Sequence, residues 1–118
     1  MVQFRIERGA VNDVPEIDID TLEQVLIEGH PLVDVREDDE YIDGHVAGAV
    51  HIPLATIPDR VADIPTAGPV YVICALGGRS ARAAEFLRTQ GLDAINVAGG
   101  TQGWIESGRP VERSRSTD

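Results

Sequence analysis

Cys74 is the single cysteine of this 118-residue chain, and the six residues after it (Ala75, Leu76, Gly77, Gly78, Arg79, Ser80) decide what its thiol can do. A lone cysteine is usually a small buried hydrophobe. Here it ends an apolar, β-branched run, Val70-Tyr-Val-Ile, that reads as a buried strand. Two glycines follow, and Ser80 opens a helical pattern (Ala81, Ala83, Ala84, Phe86, Leu87) that Gly91 closes. A strand, a short glycine-containing loop and a helix start together aim backbone N–H groups and the positive end of a helix dipole at one point. A thiol held there is acidic, because that field stabilises its thiolate.

The rest of the chain must place this loop. Residues 2–7 alternate apolar and polar side chains and suggest an edge strand or an extension. Glu16–Ile19 reads as a short strand, followed by a helix with Asp20 as N-cap, Glu23 completing a capping box, and Gly29 as its end. Pro31–Val35 is the next strand and runs into the acidic stretch Arg36-Glu-Asp-Asp-Glu40. A helical turn and a Gly-rich bend over Tyr41–Gly48 come next, then a third strand over Ala49–Ile52 stopped by Pro53. Leu54–Ile64 carries a helical stripe interrupted by Pro58, which implies two short pieces. Asp93–Val97 is the last strand, and Gly99-Gly100 turns the chain into a final short helix around Trp104.

Strands alternating with helical segments, most of the strands apolar on both faces, define an α/β domain with a largely parallel, five-stranded sheet flanked by helices. Ligands of such sheets bind beyond the carboxyl ends of the strands. Asp34, Cys74 and Ala98–Gly100 all fall at that edge. The expected division is an N-terminal extension over 1–15, one domain over 16–111, and a polar, disordered tail over 112–118.

Hydrophobic content of 42% and charged content of 25% are ordinary globular values. Twenty acidic against ten basic residues give a net charge of −10, which argues against nucleic acid or an anionic membrane as partner. No run approaches the roughly 18 apolar residues of a membrane span. The N-terminus lacks a signal-peptide apolar region, and one cysteine fits a reducing compartment, so the cytoplasm is the expected location. His30, His45 and His51 share no metal-ligand spacing with one another or with Cys74, so neither metal nor cofactor is expected. His45 is expected to hold its bend by a backbone hydrogen bond, and Trp104 to pack as core or rim.

Read as C-x-x-G-x-R-S, Cys74–Ser80 resembles the active loop of the single-domain rhodanese family of sulfurtransferases. Leu32–Pro53, with Asp34, Arg36, Glu37, Tyr41, Gly44, His45 and Gly48, resembles that family's N-terminal signature. Gly99-Gly100-Thr-Gln-Gly103-Trp104 resembles its C-terminal one. Three motifs in the right order, spread over roughly residues 16–111, make the resemblance specific.

The resemblance implies a rhodanese-like three-layer fold. It also implies transfer of a sulfane sulfur, from thiosulfate or a persulfide, to cyanide, a thiol or a protein acceptor through a persulfide on Cys74. Each state of that site is anionic. Amides from Ala75 to Arg79 are expected to wrap the sulfur as an anion nest, with Gly77 and Gly78 permitting the turn and Ser80 capping it. Arg79 either binds the donor anion or turns back toward the acidic residues near Asp34 and Glu37; the second is favoured, since a loop of backbone donors needs an external brace. Asp34 and Arg36 are expected to support the loop, Asp34 by accepting backbone N–H bonds. Ala75 and Leu76 stand where thiosulfate-handling members often carry polar or basic side chains, which implies weak attraction of small dianions.

Two other classes compete. Phosphatases or arsenate reductases of the Cdc25-like kind share the fold, but cradle a tetrahedral oxyanion with five residues between Cys and Arg, against four here. A non-catalytic binding module would ordinarily lack the cysteine that this chain keeps.

Overall fold

Val70–Ile73 forms β4 at the centre of a sheet whose strand order is β1-β5-β4-β2-β3, every neighbouring pair parallel. The computed structural model describes residues 14–113, so the alternation over residues 2–7 lies outside the described residues. The other strands are β1 (Glu16–Ile17), β2 (Leu32–Asp34), β3 (Val50–His51) and β5 (Ala94–Val97). Helices α1 (Ile19–Ile27), α2 (Asp38–Asp43), α3 (Gly78–Thr89) and α4 (Gly100–Glu106) connect or follow them. Two 3₁₀ helices, Leu54–Asp59 and Val61–Asp63, lie between β3 and β4. The five-stranded parallel α/β domain expected from the sequence is the fold observed.

Successive side chains of a strand point to opposite faces, and β4 divides its apolar residues accordingly. Val70, Val72 and Cys74 pack with Ile57, Ile64, Ala83, Ala84 and Leu87, which places α3 and the 3₁₀ helices over one face. Tyr71 and Ile73 pack with Leu22, Val25 and Trp104, which places α1 and α4 over the other. Burying side chains such as Val70, Val72 and Ile73, all fully inaccessible, contributes roughly 1.5–3 kcal/mol each. Because Cys74 shares the parity of Val70 and Val72, its sulfur leaves the sheet on the α3 side.

From β2 the chain moves outward to β3, whereas from β4 it moves the opposite way to β5. The connections therefore diverge between β2 and β4, and a crevice opens beyond their carboxyl ends, the usual ligand position in an open parallel sheet. Asp34 closes β2 and Cys74 follows β4, so this crevice lies between the two motifs.

Several local expectations shift. The N-cap of α1 is Asp18, whose carboxylate accepts the Thr21 amide at 2.8 Å; Asp20 is already helical. Helix α2 starts earlier than expected, inside the acidic stretch, because Glu40 Oε1 accepts the Glu37 amide at 2.9 Å and caps the first turn. The break in Leu54–Ile64 falls at Arg60, with Pro58 accommodated inside the first 3₁₀ helix. Ser80 does not open α3. Gly77 is the N-cap, with φ of 127°, and Ser80 lies buried in the first turn. Glu112, within the expected tail, exchanges two 2.8 Å backbone hydrogen bonds with His45. At the other end, the Pro15 carbonyl accepts the Asn96 amide at 2.9 Å, so pairing with the sheet reaches into the expected extension.

Candidate active site

Cys74 is 1% exposed, and its sulfur lies at the start of α3, 3.1 Å from the Gly77 amide and 3.2 Å from Ser80 Oγ. Burial pushes this thiol up, but hydrogen bonds from Ser80, Gly77 and Leu76 outweigh it, and the net shift is downward from 9.0. The donors within hydrogen-bond distance of the sulfur are the Gly77 amide and the Ser80 hydroxyl. That set is narrower than a continuous wrap from Ala75 to Arg79.

The outside of the loop explains why its inside offers amides. The Gly99, Thr101 and Gln102 amides donate to the carbonyls of Leu76, Cys74 and Ala75 at 3.2, 2.8 and 3.0 Å. Carbonyl dipoles are thereby held away from the sulfur. This needs the first turn of α4 against the loop backbone, and Gly100 permits it. Its φ is +61°, and a Cβ there would lie 2.6 Å from the Cys74 carbonyl oxygen and against that of Ala75. The glycine pair anticipated as a turn therefore serves as a close-packing surface for the Cys74 loop.

Two ion pairs flank the loop. Arg36 donates through Nε and Nη2 to Asp34 at 2.8–3.2 Å, and through Nη2 to the Gly44 carbonyl at 2.9 Å. Asp34 also accepts the Arg36 amide at 3.0 Å. Both side chains are buried. Arg79 grips Glu40 on α2 with two bonds of 2.8 and 2.9 Å. Among the acidic residues near Asp34 and Glu37 toward which it is expected to turn, its partner is Glu40, which α2 begins early enough to carry to the loop. The Arg79 hydrogen bonds hold the Glu40 carboxyl down at about 2, and Glu40 raises the Arg79 guanidinium in turn.

Three residues outside the anticipated set belong to this neighbourhood. Asn96 Oδ1 lies 2.6 Å from Ser80 Oγ, while its amide nitrogen donates to Glu16 at 2.8 Å and to the Gly77 carbonyl at 3.1 Å. Thr101 has the one buried side-chain oxygen without a hydrogen-bond partner among the described residues. It lines a cleft of about 210 Å³ with Arg36, Glu40, Gly44 and Ala75, in the crevice between β2 and β4. Glu40 is the third. A polar Asn96 within an otherwise apolar strand was a readable signal, whereas no sequence feature separated Glu40 from its acidic neighbours.

Leu76 is 70% exposed at the loop tip and Ala75 half-buried. His45 Nδ1 lies 2.8 Å from the Tyr41 carbonyl, with its ring stacked on Tyr41. Trp104 is buried and donates to the Pro110 carbonyl at 2.8 Å. Among the described residues, no three His, Cys, Asp or Glu side chains gather as a metal site. None of the described helices is long and apolar enough to cross a membrane.

The parallel α/β domain thus seats Cys74 at the start of α3, with the Gly77 amide and the Ser80 hydroxyl on its sulfur. The chain belongs to the rhodanese-like family: the rhodanese-like domain model matches residues 18–107. It is 35% identical over 101 residues to the sulfurtransferase of Allochromatium vinosum, covering 83% of this chain and 94% of that one. To the thiosulfate sulfurtransferase GlpE of Actinobacillus pleuropneumoniae serotype 3 it is 36% identical over 86 residues, covering 72% and 80%. The crystal structure of a rhodanese-like domain protein from Staphylococcus aureus superimposes with a TM-score of 0.78 at 36% identity, covering 86% of this chain and all of that one. YrkF and YqhL of Bacillus subtilis are longer, and the chain spans 52% and 59% of them. These relatives support a sulfurtransferase of rhodanese type.

Proposed function

We propose that this protein transfers a sulfane sulfur through a persulfide on Cys74. The thiolate attacks the outer sulfur of a donor R–S–S⁻, the S–S bond of the donor breaks, and R–S⁻ leaves as Cys74–S–S⁻ forms. A thiophilic acceptor, a small thiol, cyanide or a protein thiol, then attacks the outer sulfur and regenerates the Cys74 thiolate. The observation that carries this reading is the cradle, in which the Gly77 amide and Ser80 hydroxyl address the sulfur. With four residues between Cys74 and Arg79, the loop suits a single sulfur better than a tetrahedral phosphate.

Both arginines beside the loop are already paired, Arg36 with Asp34 and Arg79 with Glu40. The surrounding charge therefore gives a dianion such as thiosulfate little attraction, and a persulfide is the better donor. The crevice cleft is the approach proposed for the acceptor, with the Thr101 hydroxyl as its unspent hydrogen-bonding group. A single cysteine kept as thiolate suits the reducing cytoplasm. The test is the mass of Cys74 after exposure to thiosulfate or glutathione persulfide, alongside thiosulfate:cyanide turnover. Expected are one added sulfur on Cys74, measurable turnover with a high KM for thiosulfate, and loss of both in Cys74→Ser. Equal turnover in the two proteins would reject the assignment.

A further inference from the structure

Ser80 carries one hydroxyl proton, yet Oγ has two neighbours able to accept it: Cys74 Sγ at 3.2 Å and Asn96 Oδ1 at 2.6 Å. The orientation of Asn96 is fixed, because its NH₂ group faces two pure acceptors, a Glu16 carboxylate oxygen and the Gly77 carbonyl. Its oxygen must therefore face Ser80. Cys74, Ser80 and Asn96 are all essentially inaccessible to solvent, so water does not fill a bond that one of them lacks.

While Cys74 is a thiol, every group is satisfied: S–H donates to Ser80 Oγ, and Ser80 O–H donates to Asn96 Oδ1. Once the sulfur is a thiolate, the same hydroxyl must either turn to it and abandon Asn96, or stay and present an oxygen lone pair to an anion. Either choice sacrifices one hydrogen bond in a buried place. Forming the persulfide reverses this, since the negative charge moves to the outer sulfur. Sγ becomes an uncharged divalent sulfur, and the Ser80 proton returns to Asn96.

We propose that Asn96, oriented by Glu16, is a positioning residue that controls the Ser80 proton and so disfavours the Cys74 thiolate relative to both thiol and persulfide. The ionisation half of this statement stands on geometry alone; the persulfide half rests on the function proposed above. Asn96 thereby makes the thiolate, once formed, intrinsically more nucleophilic and its sulfur-loaded form the more comfortable one.

Asn96→Leu, nearly the same shape without polar atoms, tests this. The readout is the pH dependence of Cys74 alkylation by iodoacetamide, with and without Ser80→Ala. Asn96→Leu is expected to lower the alkylation midpoint by about 0.7 unit, equivalent to one net hydrogen bond, and to have no effect when Ser80 is alanine. Loss of the Asn96–Gly77 bond through simple loosening would weaken the Gly77 amide contact and move the midpoint up, the opposite sign. The charges around the loop are Arg79 and Glu40, Asp34 and Arg36, Glu37, and Glu16 behind Asn96. Neither substitution changes these charges; Asn96→Leu does free Glu16 of its hydrogen bond, but equally with and without Ser80→Ala, so the paired comparison subtracts that effect. Should leucine not be accommodated, Asn96→Val carries the same expectation.

In the second arm, each protein equilibrates with a fixed ratio of glutathione persulfide to glutathione, and the persulfidated fraction of Cys74 is read by mass. At a pH above the alkylation midpoints, where free Cys74 is thiolate, the ratio of persulfide to free Cys74 is expected to fall about five-fold in Asn96→Leu. An unchanged or raised alkylation midpoint, or a shift that persists in Ser80→Ala, overturns the proposal. A lowered midpoint with no persulfide in any variant keeps the ionisation role and rejects the sulfur-transfer reading instead.

Discussion

The two arginine–carboxylate pairs beside the Cys74 loop use the same chemistry in opposite settings. Asp34 and Arg36 are two residues apart and both buried; they bond each other, and Arg36 also reaches the Gly44 carbonyl at the far end of α2. Arg79 and Glu40 are 39 residues apart, each about one-third exposed, and they join the Cys74 loop to α2. The first pair shapes the wall of the crevice and is far from water. The second ties the Cys74 loop to a neighbouring element where solvent screens it. Burial should make the first a matter of stability, and position should make the second a matter of reactivity.

The largest effect is therefore expected at Asp34. Asp34→Ala leaves the Arg36 guanidinium buried without its counter-charge, and such a loss costs about 3–5 kcal/mol. Urea denaturation should show it. Asp34→Leu combined with Arg36→Met, which removes both charges, should recover most of that loss. A single substitution costing under about 1 kcal/mol would mean that the buried pair does not differ from the exposed one.

Arg79→Met should cost less than about 1 kcal/mol of stability, as exposed pairs do, and still raise the alkylation midpoint of Cys74 by removing a nearby positive charge. The pH dependence gives the sign. The Glu40 carboxyl is held at about 2 in the folded protein, below its ordinary 4.5. A depressed folded value means that the pair stabilises the fold above pH 4.5 and loses that contribution as pH falls toward 2. The stability difference between the unaltered protein and Glu40→Gln should be constant above about pH 5 and close over that acidic window. A difference that persists at pH 2, read by denaturation across a pH series, would assign the effect to packing of the Glu40 side chain.

The contrast between the pairs also explains what the sequence made legible. Parallel α/β architecture, the strand carrying Cys74 and the buried role of Asp34 follow from short-range patterns: apolar runs, glycine loops and an acid at a strand end. The partner of Arg79 does not. Four neighbouring acidic residues looked equivalent until α2 began early enough to turn Glu40 toward the loop. Serine is a good N-cap, so Ser80 reads as the start of the helix, yet Gly77 takes that place with a φ of 127°. Only there does the amide reach the sulfur. Gly100 was visible as a turn residue, but its contact with the Cys74 carbonyl depends on how α4 packs, which no local pattern encodes.

The cleft between the pairs takes Arg36 from one and Glu40 from the other, and Thr101 supplies its unpartnered hydroxyl. A buried hydroxyl without a partner costs roughly 1–3 kcal/mol, so Thr101→Val, which keeps the shape, should leave stability unchanged or raise it by about 1 kcal/mol. If that hydroxyl serves the acceptor, the same substitution should raise the acceptor KM by a few-fold and leave the rate of Cys74 persulfidation unchanged. This effect is the smallest expected, yet its signs are the most telling. Asp34→Ala should lose stability through a buried charge, and Arg79→Met should lose little stability but shift reactivity. Thr101→Val should trade function for stability. A gain in stability with no change in acceptor KM would show the Thr101 hydroxyl to be a packing defect, and the acceptor would have to approach Cys74 by way of the exposed Leu76 instead.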